Sequence, residues 1–249
     1  MNIVVCIKRT PDTETRIRLG EDGVSIDPSG VKFTMSPYDE FALEAALQLK
    51  ESRGDGEVAL LSLGGEKTQE TLRQGLAMGA DRAVLLQGDP GADGLATAKV
   101  LAAELKEMDA SLILFGMKGA DMDQQQVGPM AATILGLPCA TAVSEFQVEG
   151  EIATCHREVE GGLEVLELDL PAVITMTKGK VEPRYASLKG IMAAKRKPLE
   201  TKAAQGAETR LMVKELAYPP ERPAGRIVGE GPDAVTELVR LLREEAKAL

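Results

Sequence analysis

One histidine, three cysteines and no long apolar run are what this 249-residue chain has to work with, and each shortage closes off a class of function. Cys6, Cys139 and Cys155 are too few and too scattered for a disulfide framework. His156 adjoins Cys155, but neighbouring residues of a strand point to opposite faces, so the pair reads as a core thiol beside a surface imidazole, and no metal site is expected. A single histidine far from any nucleophile gives Ser/His or Cys/His catalysis no support. No run approaches the roughly 18 apolar residues that span a bilayer, so membrane insertion is not expected. Met1–Lys8 lacks the basic, apolar and small-residue order of a signal peptide and reads as a strand, which predicts a cytoplasmic protein. Neither a Gly-x-Gly-x-x-Gly fingerprint nor a Gly-x-x-x-x-Gly-Lys-Ser/Thr loop occurs, which argues against an ordinary dinucleotide dehydrogenase and a P-loop NTPase. Basic charge is short overall, and a net charge of −10 argues against nucleic-acid binding.

What remains is an α/β pattern in a chain that is 44% hydrophobic and 27% charged, ordinary for a globular protein. Strands are predicted at Asn2–Lys8, Val58–Leu63, Arg82–Leu86 and Ser111–Phe115, with helices beginning near Ser36, Thr68 and Thr97. Ser36 is read as a cap and Pro37 as the first helical residue, with Asp39 and Glu40 suiting the positive end. Such alternation implies right-handed crossovers and a mostly parallel sheet covered on both faces, a Rossmann-like three-layer sandwich. Arg16–Asp27 alternates around glycines like an exposed hairpin. From Ala142 to Leu168 the rhythm becomes that of a small antiparallel meander, and Pro171–Thr175 is read as a return to the main sheet. Beyond Lys178 no period persists. Ala203–Ala207 and Tyr218–Pro223 read as an extended arm, and Pro232–Arg243 as an amphipathic helix.

The most informative stretch follows the strand ending at Phe115. Gly116-Met117-Lys118-Gly119-Ala120-Asp121-Met122-Asp123-Gln124-Gln125-Gln126-Val127 is a polar loop, and Gly128-Pro129 opens a helical run. Strand, permissive loop and helix start is the arrangement in which backbone N–H groups face an anion. Ligands of such sheets sit at the carboxyl ends of the strands, so the loops after Ile7, Leu63 and Phe115 are expected to share one rim. Two loop carboxylates, Asp121 and Asp123, are a thin basis for Mg²⁺. A second feature is electrostatic. Lys178 to Lys202 holds eight basic residues and two acids, a net of +6 that leaves −16 for the remainder. A local sign reversal of this size marks a candidate docking surface for an acidic partner.

Val5–Lys8, Ser36–Glu44, Ala77–Asp81, Gly116–Gly128 and above all Glu182-Pro-Arg-Tyr-Ala-Ser-Leu-Lys-Gly-Ile-Met-Ala-Ala-Lys195 resemble the electron-transfer flavoprotein β subunit, over Met1 to about Lys197 with a looser fit beyond. The resemblance implies a heterodimer with an α subunit that holds most of a redox-active FAD. Such a carrier takes electrons from acyl-CoA and related dehydrogenases, as in fatty acid oxidation, and passes them to an electron-transfer-flavoprotein quinone oxidoreductase or another acceptor. It catalyses no bond-breaking itself. It further implies a structural AMP in the β subunit, met by Cys6, Ser36, Pro37, Tyr38, Asp39, Leu63 and the loop Gly116 to Val127. Main-chain donors from Gln124 to Val127 would hold the phosphate. Asp39 and backbone groups near Cys6 and Leu63 would meet adenosine. Thr13 and Tyr38 fall where β-subunit side chains approach the flavin, and Arg157 and Glu158 match the pair beside the moving flavin domain.

The family's AMP-type loop reads Asp-Asp-Asp-Cys-Asn-Gln-Thr-Gly; here it is Asp121-Met-Asp-Gln-Gln-Gln-Val-Gly128, so a contact at Val127 must be main-chain. Gln126–Pro129 and Pro11–Thr13 instead resemble bifurcating members, in which a second FAD replaces AMP. AMP is favoured, and the second FAD is the alternative. From the residues alone, an adenine-nucleotide-hydrolysing α/β enzyme and a plain nucleotide sensor also stay open. The resemblance makes Tyr185 to Lys197 the partner-recognition loop, with Leu188 at its tip and Tyr185, Lys189, Ile191, Met192, Lys195 and Arg196 around it. It divides the chain into a nucleotide-binding domain, residues 1–197, and an arm and helix, residues 198–249, that wrap the α subunit.

Overall fold

The computed structural model describes residues 1–89, 91, 93–221 and 224–249. Pro90 and Ala92, between the expected strand at Arg82–Leu86 and the helix near Thr97, and Arg222 and Pro223 of the expected arm, lie outside the described residues. Eleven strands and six helices follow in order: β1 (Asn2–Cys6), β2 (Arg9–Pro11), β3 (Phe33–Met35), α1 (Pro37–Arg53), β4 (Glu57–Gly64), α2 (Thr68–Met78), β5 (Arg82–Gln87), α3 (Gly94–Leu105), β6 (Leu112–Gly116), α4 (Val127–Leu135), β7 (Cys139–Glu149), β8 (Ile152–Val159), β9 (Gly162–Asp169), β10 (Ala172–Met176), α5 (Leu188–Ala194), β11 (Leu199–Ala203) and α6 (Val235–Glu244).

Nine strands form one sheet in the order β11-β5-β4-β1-β6-β10-β7-β8-β9, while β2 and β3 pair as a separate antiparallel ribbon. The seven strands from β11 to β7 run parallel, and β8 and β9 add the antiparallel meander. The β-branched runs explain the parallel part. Each is buried on both faces, Ile3 and Val5 against a cluster with Leu43, Leu47, Leu72 and Leu76, and Val4 and Cys6 against one with Leu101, Leu105, Ala131 and Ala132. Helices α1 and α2 therefore cover one face, and α3 and α4 the other. At about 1.5–3 kcal/mol per fully buried Leu, Ile or Val, these two clusters are the principal source of stability.

Strand order reverses between β1 and β6: the chain steps outward from β1 through β4 to β5, then returns to the other side at β6. That is the switch point at which an open α/β sheet leaves a crevice beyond its carboxyl ends.

Four local expectations change. Helix α3 begins at Gly94, earlier than Thr97, because the Asp93 side chain accepts from Leu95 N and Ala96 N and so caps it. The hairpin expected over Arg16–Asp27 reduces to a single bridge, Leu19 to Ile26. Asp22 fixes its turn through Val24 N and Ser25 N, and an isolated two-stranded hairpin is only marginally stable. The aperiodic stretch after Lys178 contains a short helix, α5, and a strand, β11, that pairs with β5 at the edge of the main sheet. Contacts divide the chain into a compact unit Met1–Glu215 and a second, Leu216–Leu249, so Leu199–Ala203 belongs with the sheet rather than with the arm. In the second unit, a turn at Pro232–Ala234 leads into α6, where Arg240 bridges Glu237 and Glu244.

Candidate functional site

A pocket opens at the switch point, and its wall gathers the three loops expected on one rim: Cys6, Ile7 and Lys8 after β1, Leu63 on β4, and Phe115 through Lys118 after β6. Gln124 to Gly128 closes one side, and Asp93, Gly94, Thr97 and Leu101 of the α3 region close another.

Asp39 ties the rim together. Pro37 starts α1 and sets Asp39 in its first turn, buried at 5% exposure. One carboxylate oxygen accepts from Lys8 N at 2.7 Å and the other from Gly116 N at 3.0 Å, so a single side chain pins the ends of β1 and β6. Burial pushes this carboxyl up to about 7, against the downward pull of the two amides and the Lys8 ammonium. Glycine is required at 116, because a Cβ there would collide with the Asp39 carboxylate.

Ser36 precedes α1, but its hydroxyl does not cap the helix. It donates to Lys118 O at 3.2 Å and accepts from Ala120 N at 3.3 Å, drawing the loop after β6 onto α1, while the Ser36 carbonyl accepts from Asp39 N and Glu40 N. The expected cap is thus a loop tether. Two lysine–aspartate bridges brace the loop further: Lys8 Nζ to Asp121 and Lys118 Nζ to Asp123, at 2.8 and 2.9 Å. Lys118 also stands 5.7 Å from the centre of the Tyr38 ring.

Between these braces, Asp123 and Gln125 take positive φ, +52° and +53°, which costs a non-glycine residue about 1 kcal/mol or more and persists where surroundings impose it. Gln126 follows at φ −120°, ψ −21°. A positive-φ residue leading into a helix start is the kind of turn whose backbone N–H groups can meet an anion. Met130 N bonds Gln126 O at the start of α4, and as at every helix start the first-turn amides have no acceptor within the helix. Val127 lines the pocket and packs against the α3–α4 cluster. Gln126 Nε2 bonds Gln124 Oε1, and a Cβ at Gly94 would meet both side chains, which brings α3 close to the loop.

Burial pushes the Cys6 thiol well above its ordinary value, with Asp39 adding to the effect, so it stays neutral. Asp121 and Asp123 are each engaged by a lysine, and among the described residues no group of three or more His, Cys, Asp or Glu could hold a metal ion.

The second candidate region is a short helix rather than a loop. Tyr185, Leu188 and Met192 are 98%, 85% and 68% exposed, with Ile191 beside them. Large apolar side chains this bare on a firmly held segment mark a surface built to be covered. The hold is specific. Arg184 bonds Glu44 through Nε and Nη2 and also Glu51; burial alone would raise Glu44, but the guanidinium and the Gln48 amide outweigh it and leave its carboxyl below the ordinary value. Ser187 caps α5 through Gly190 N. Arg73 donates to Ala194 O and Lys197 O, and Lys197 Nζ donates to Leu76 O and Ala80 O at the end of α2.

These anchors revise the charge reading. Of the eight basic residues from Lys178 to Lys202, Arg184 and Lys197 face inward, Lys180 pairs with Glu145 and Lys202 with Glu104. The cations left exposed are Lys178, Lys189, Lys195 and Arg196, the last three on or just after α5.

The remaining expected residues lie apart from the pocket wall. Thr13 is exposed after β2, and Tyr38 is half-buried in the first turn of α1. Arg157 on β8 reaches Glu164 and Thr141, whereas Glu158 is exposed. Among the pocket residues that reading the sequence missed are Lys8, Asp93 and Gly94. Lys8 adjoins Ile7, whose rim position was expected, so that omission had a signal; the long-range partners of Asp93 left none.

Comparison with known proteins bears on this arrangement. The family model for the electron transfer flavoprotein domain matches residues 24–207. The chain is 40% identical to the electron transfer flavoprotein subunit beta of Syntrophomonas wolfei, over 99% of this chain and 98% of that one. It is 39% identical to the subunit beta of Bacillus subtilis over the whole of both chains, and 37% identical to that of Homo sapiens over 98% of each. No helix among the described residues is long and apolar enough to cross a membrane.

Proposed function

The chain belongs to the electron transfer flavoprotein family, among its β subunits, and we propose that it serves as the non-catalytic half of a two-subunit electron carrier, holding a structural AMP. The observation that carries this reading is the pocket at the β1/β6 switch point, where the turn at Gln125–Gln126 and the start of α4 form one side and suit main-chain binding of one phosphate. Adenosine fits the wall of Cys6, Leu63 and Phe115, with Asp39 and Ser36 fixing the loops around it. The lysine-paired loop carboxylates favour an anchoring role over metal-assisted hydrolysis.

The α subunit is the expected holder of FAD, whose chemistry is to accept electrons from an acyl-CoA or related dehydrogenase and yield them to a quinone oxidoreductase. The part of this chain in that traffic is docking. Leu188 and Met192 supply apolar contact, and Lys189, Lys195 and Arg196 steer an acidic dehydrogenase surface onto α5. Coexpression with an α chain tests the reading. A yellow, flavin-bearing heterodimer that is reduced by a dehydrogenase and its substrate supports it. An isolated chain that turns over ATP with Mg²⁺ overturns it in favour of a hydrolase.

A further inference from the structure

Asp93 makes two sets of bonds that join distant parts of the chain. One oxygen accepts from Leu95 N at 2.9 Å and Ala96 N at 3.1 Å, capping α3 where that helix forms the pocket wall. The other accepts from Arg210 N at 2.6 Å and Leu211 N at 3.2 Å. Residues 204–211 therefore run as a strap from the end of β11 back to the pocket. Ala204 N bonds Gln87 O, Ala204 and Ala207 pack against the α3–α4 cluster, and the far end rests on Asp93. Asp93 is 6% exposed, and its carboxyl is held below the ordinary value by the Arg210 amide and then by Ala96 N. Beyond it, a Cβ at Gly94 would meet Gln124 and Gln126 of the anion-facing loop, so the α3 start and that loop are in close packing.

We propose that Asp93 is a positioning residue that latches the 204–211 strap onto the α3 wall of the nucleotide pocket, so that freeing the strap loosens that wall against the nucleotide loop and quickens nucleotide release. The inference rests on the nucleotide reading of the pocket. The latch is asymmetric: one oxygen keeps the α3 wall in place, and the other keeps the strap down. The two can therefore be separated by substitution. Asp93→Asn keeps an acceptor for α3 but turns an amide donor toward the Arg210 and Leu211 N–H groups. Asp93→Ser keeps a capping oxygen for α3 but is too short to reach the strap.

The test uses the full-length protein as purified with its partner chain, loaded with radiolabelled AMP and chased with unlabelled AMP, with hydrogen exchange read in parallel. In both variants, amide protection over 204–211 is expected to fall about tenfold, protection over 95–105 to hold, and AMP release to quicken about tenfold. AMP release at the wild-type rate from a variant whose strap has lost protection overturns the strap's part in retaining the nucleotide. Unchanged strap protection overturns the latch itself. Failure of the wild-type protein to hold AMP at all would instead count against the nucleotide reading, and the exchange data would still decide whether Asp93 holds the strap.

Discussion

Asp39 and Gly116 are joined by a 3.0 Å hydrogen bond from the Gly116 amide to the Asp39 carboxylate, across the point where the sheet reverses its strand order. With the matching bond from Lys8 N, this makes α1 the clasp that holds the β1 and β6 loops at one rim.

Removing the clasp is expected to cost stability and nucleotide together. Asp39→Ala leaves two buried amides without acceptors, at about 1–3 kcal/mol for each group left unpaired. The wild-type carboxyl sits near 7 when folded against 3.8 in the reference state, so the folded protein holds more protons between those values. Its contribution is therefore full below 3.8 and is lost as pH rises through about 7. Urea midpoints of wild type and Asp39→Ala measured from pH 4 to pH 8 are expected to draw closer as pH rises. A gap that widens over that range contradicts the assignment.

Substituting the exposed tip should do the opposite. Leu188 is 85% exposed, so Leu188→Ala is expected to change stability by less than about 0.5 kcal/mol. Nucleotide content stays the same, and electron acceptance from the dehydrogenase slows. The association step should also weaken with salt, because Lys189, Lys195 and Arg196 lie in solvent. Steady-state kinetics unchanged across partner and salt concentration would remove α5 from the docking surface.

Arg184 separates anchoring from contact. Arg184→Ala leaves Glu44, 2% exposed, without its guanidinium, and about 2 kcal/mol of stability should be lost. Dehydrogenase coupling is expected to fall although no contact residue has changed, and exchange protection over residues 185–194 to fall with it. Intact coupling in a destabilised protein would show that α5 docks without this anchor.

How much of this was legible depends on where each stabilising partner lies. The loop from Gly116 to Val127 could be read because its strand, glycines and helix start are contiguous. Ser36 was legible as a helix boundary but not as a loop tether, since its partners Lys118 and Ala120 lie far along the chain. Helix α5 and β11 lack the periodicity of an element that buries one face. They are fixed by Arg184, Arg73 and Lys197 and by pairing with β5, which no local pattern records. The inward turn of Arg184 and Lys197 and the pairing of Lys180 and Lys202 explain why a net charge of +6 overstated the exposed positive surface.

Lys8 offers a narrower probe. Its ammonium and Asp121 are both partly exposed, so Lys8→Met is expected to lower stability by no more than about 1 kcal/mol. The loop loses one of its two braces, and AMP affinity should drop more than stability does. Calorimetric titration of nucleotide-stripped protein measures it, and unchanged affinity would make the bridge incidental to the site.

The central claim, a structural AMP in this pocket, is tested most directly by mass spectrometry of the nucleotides released when the purified two-chain protein is denatured. The account predicts one AMP and one FAD per pair of chains; two FAD with no AMP, or no adenine nucleotide beyond a single FAD, would contradict it.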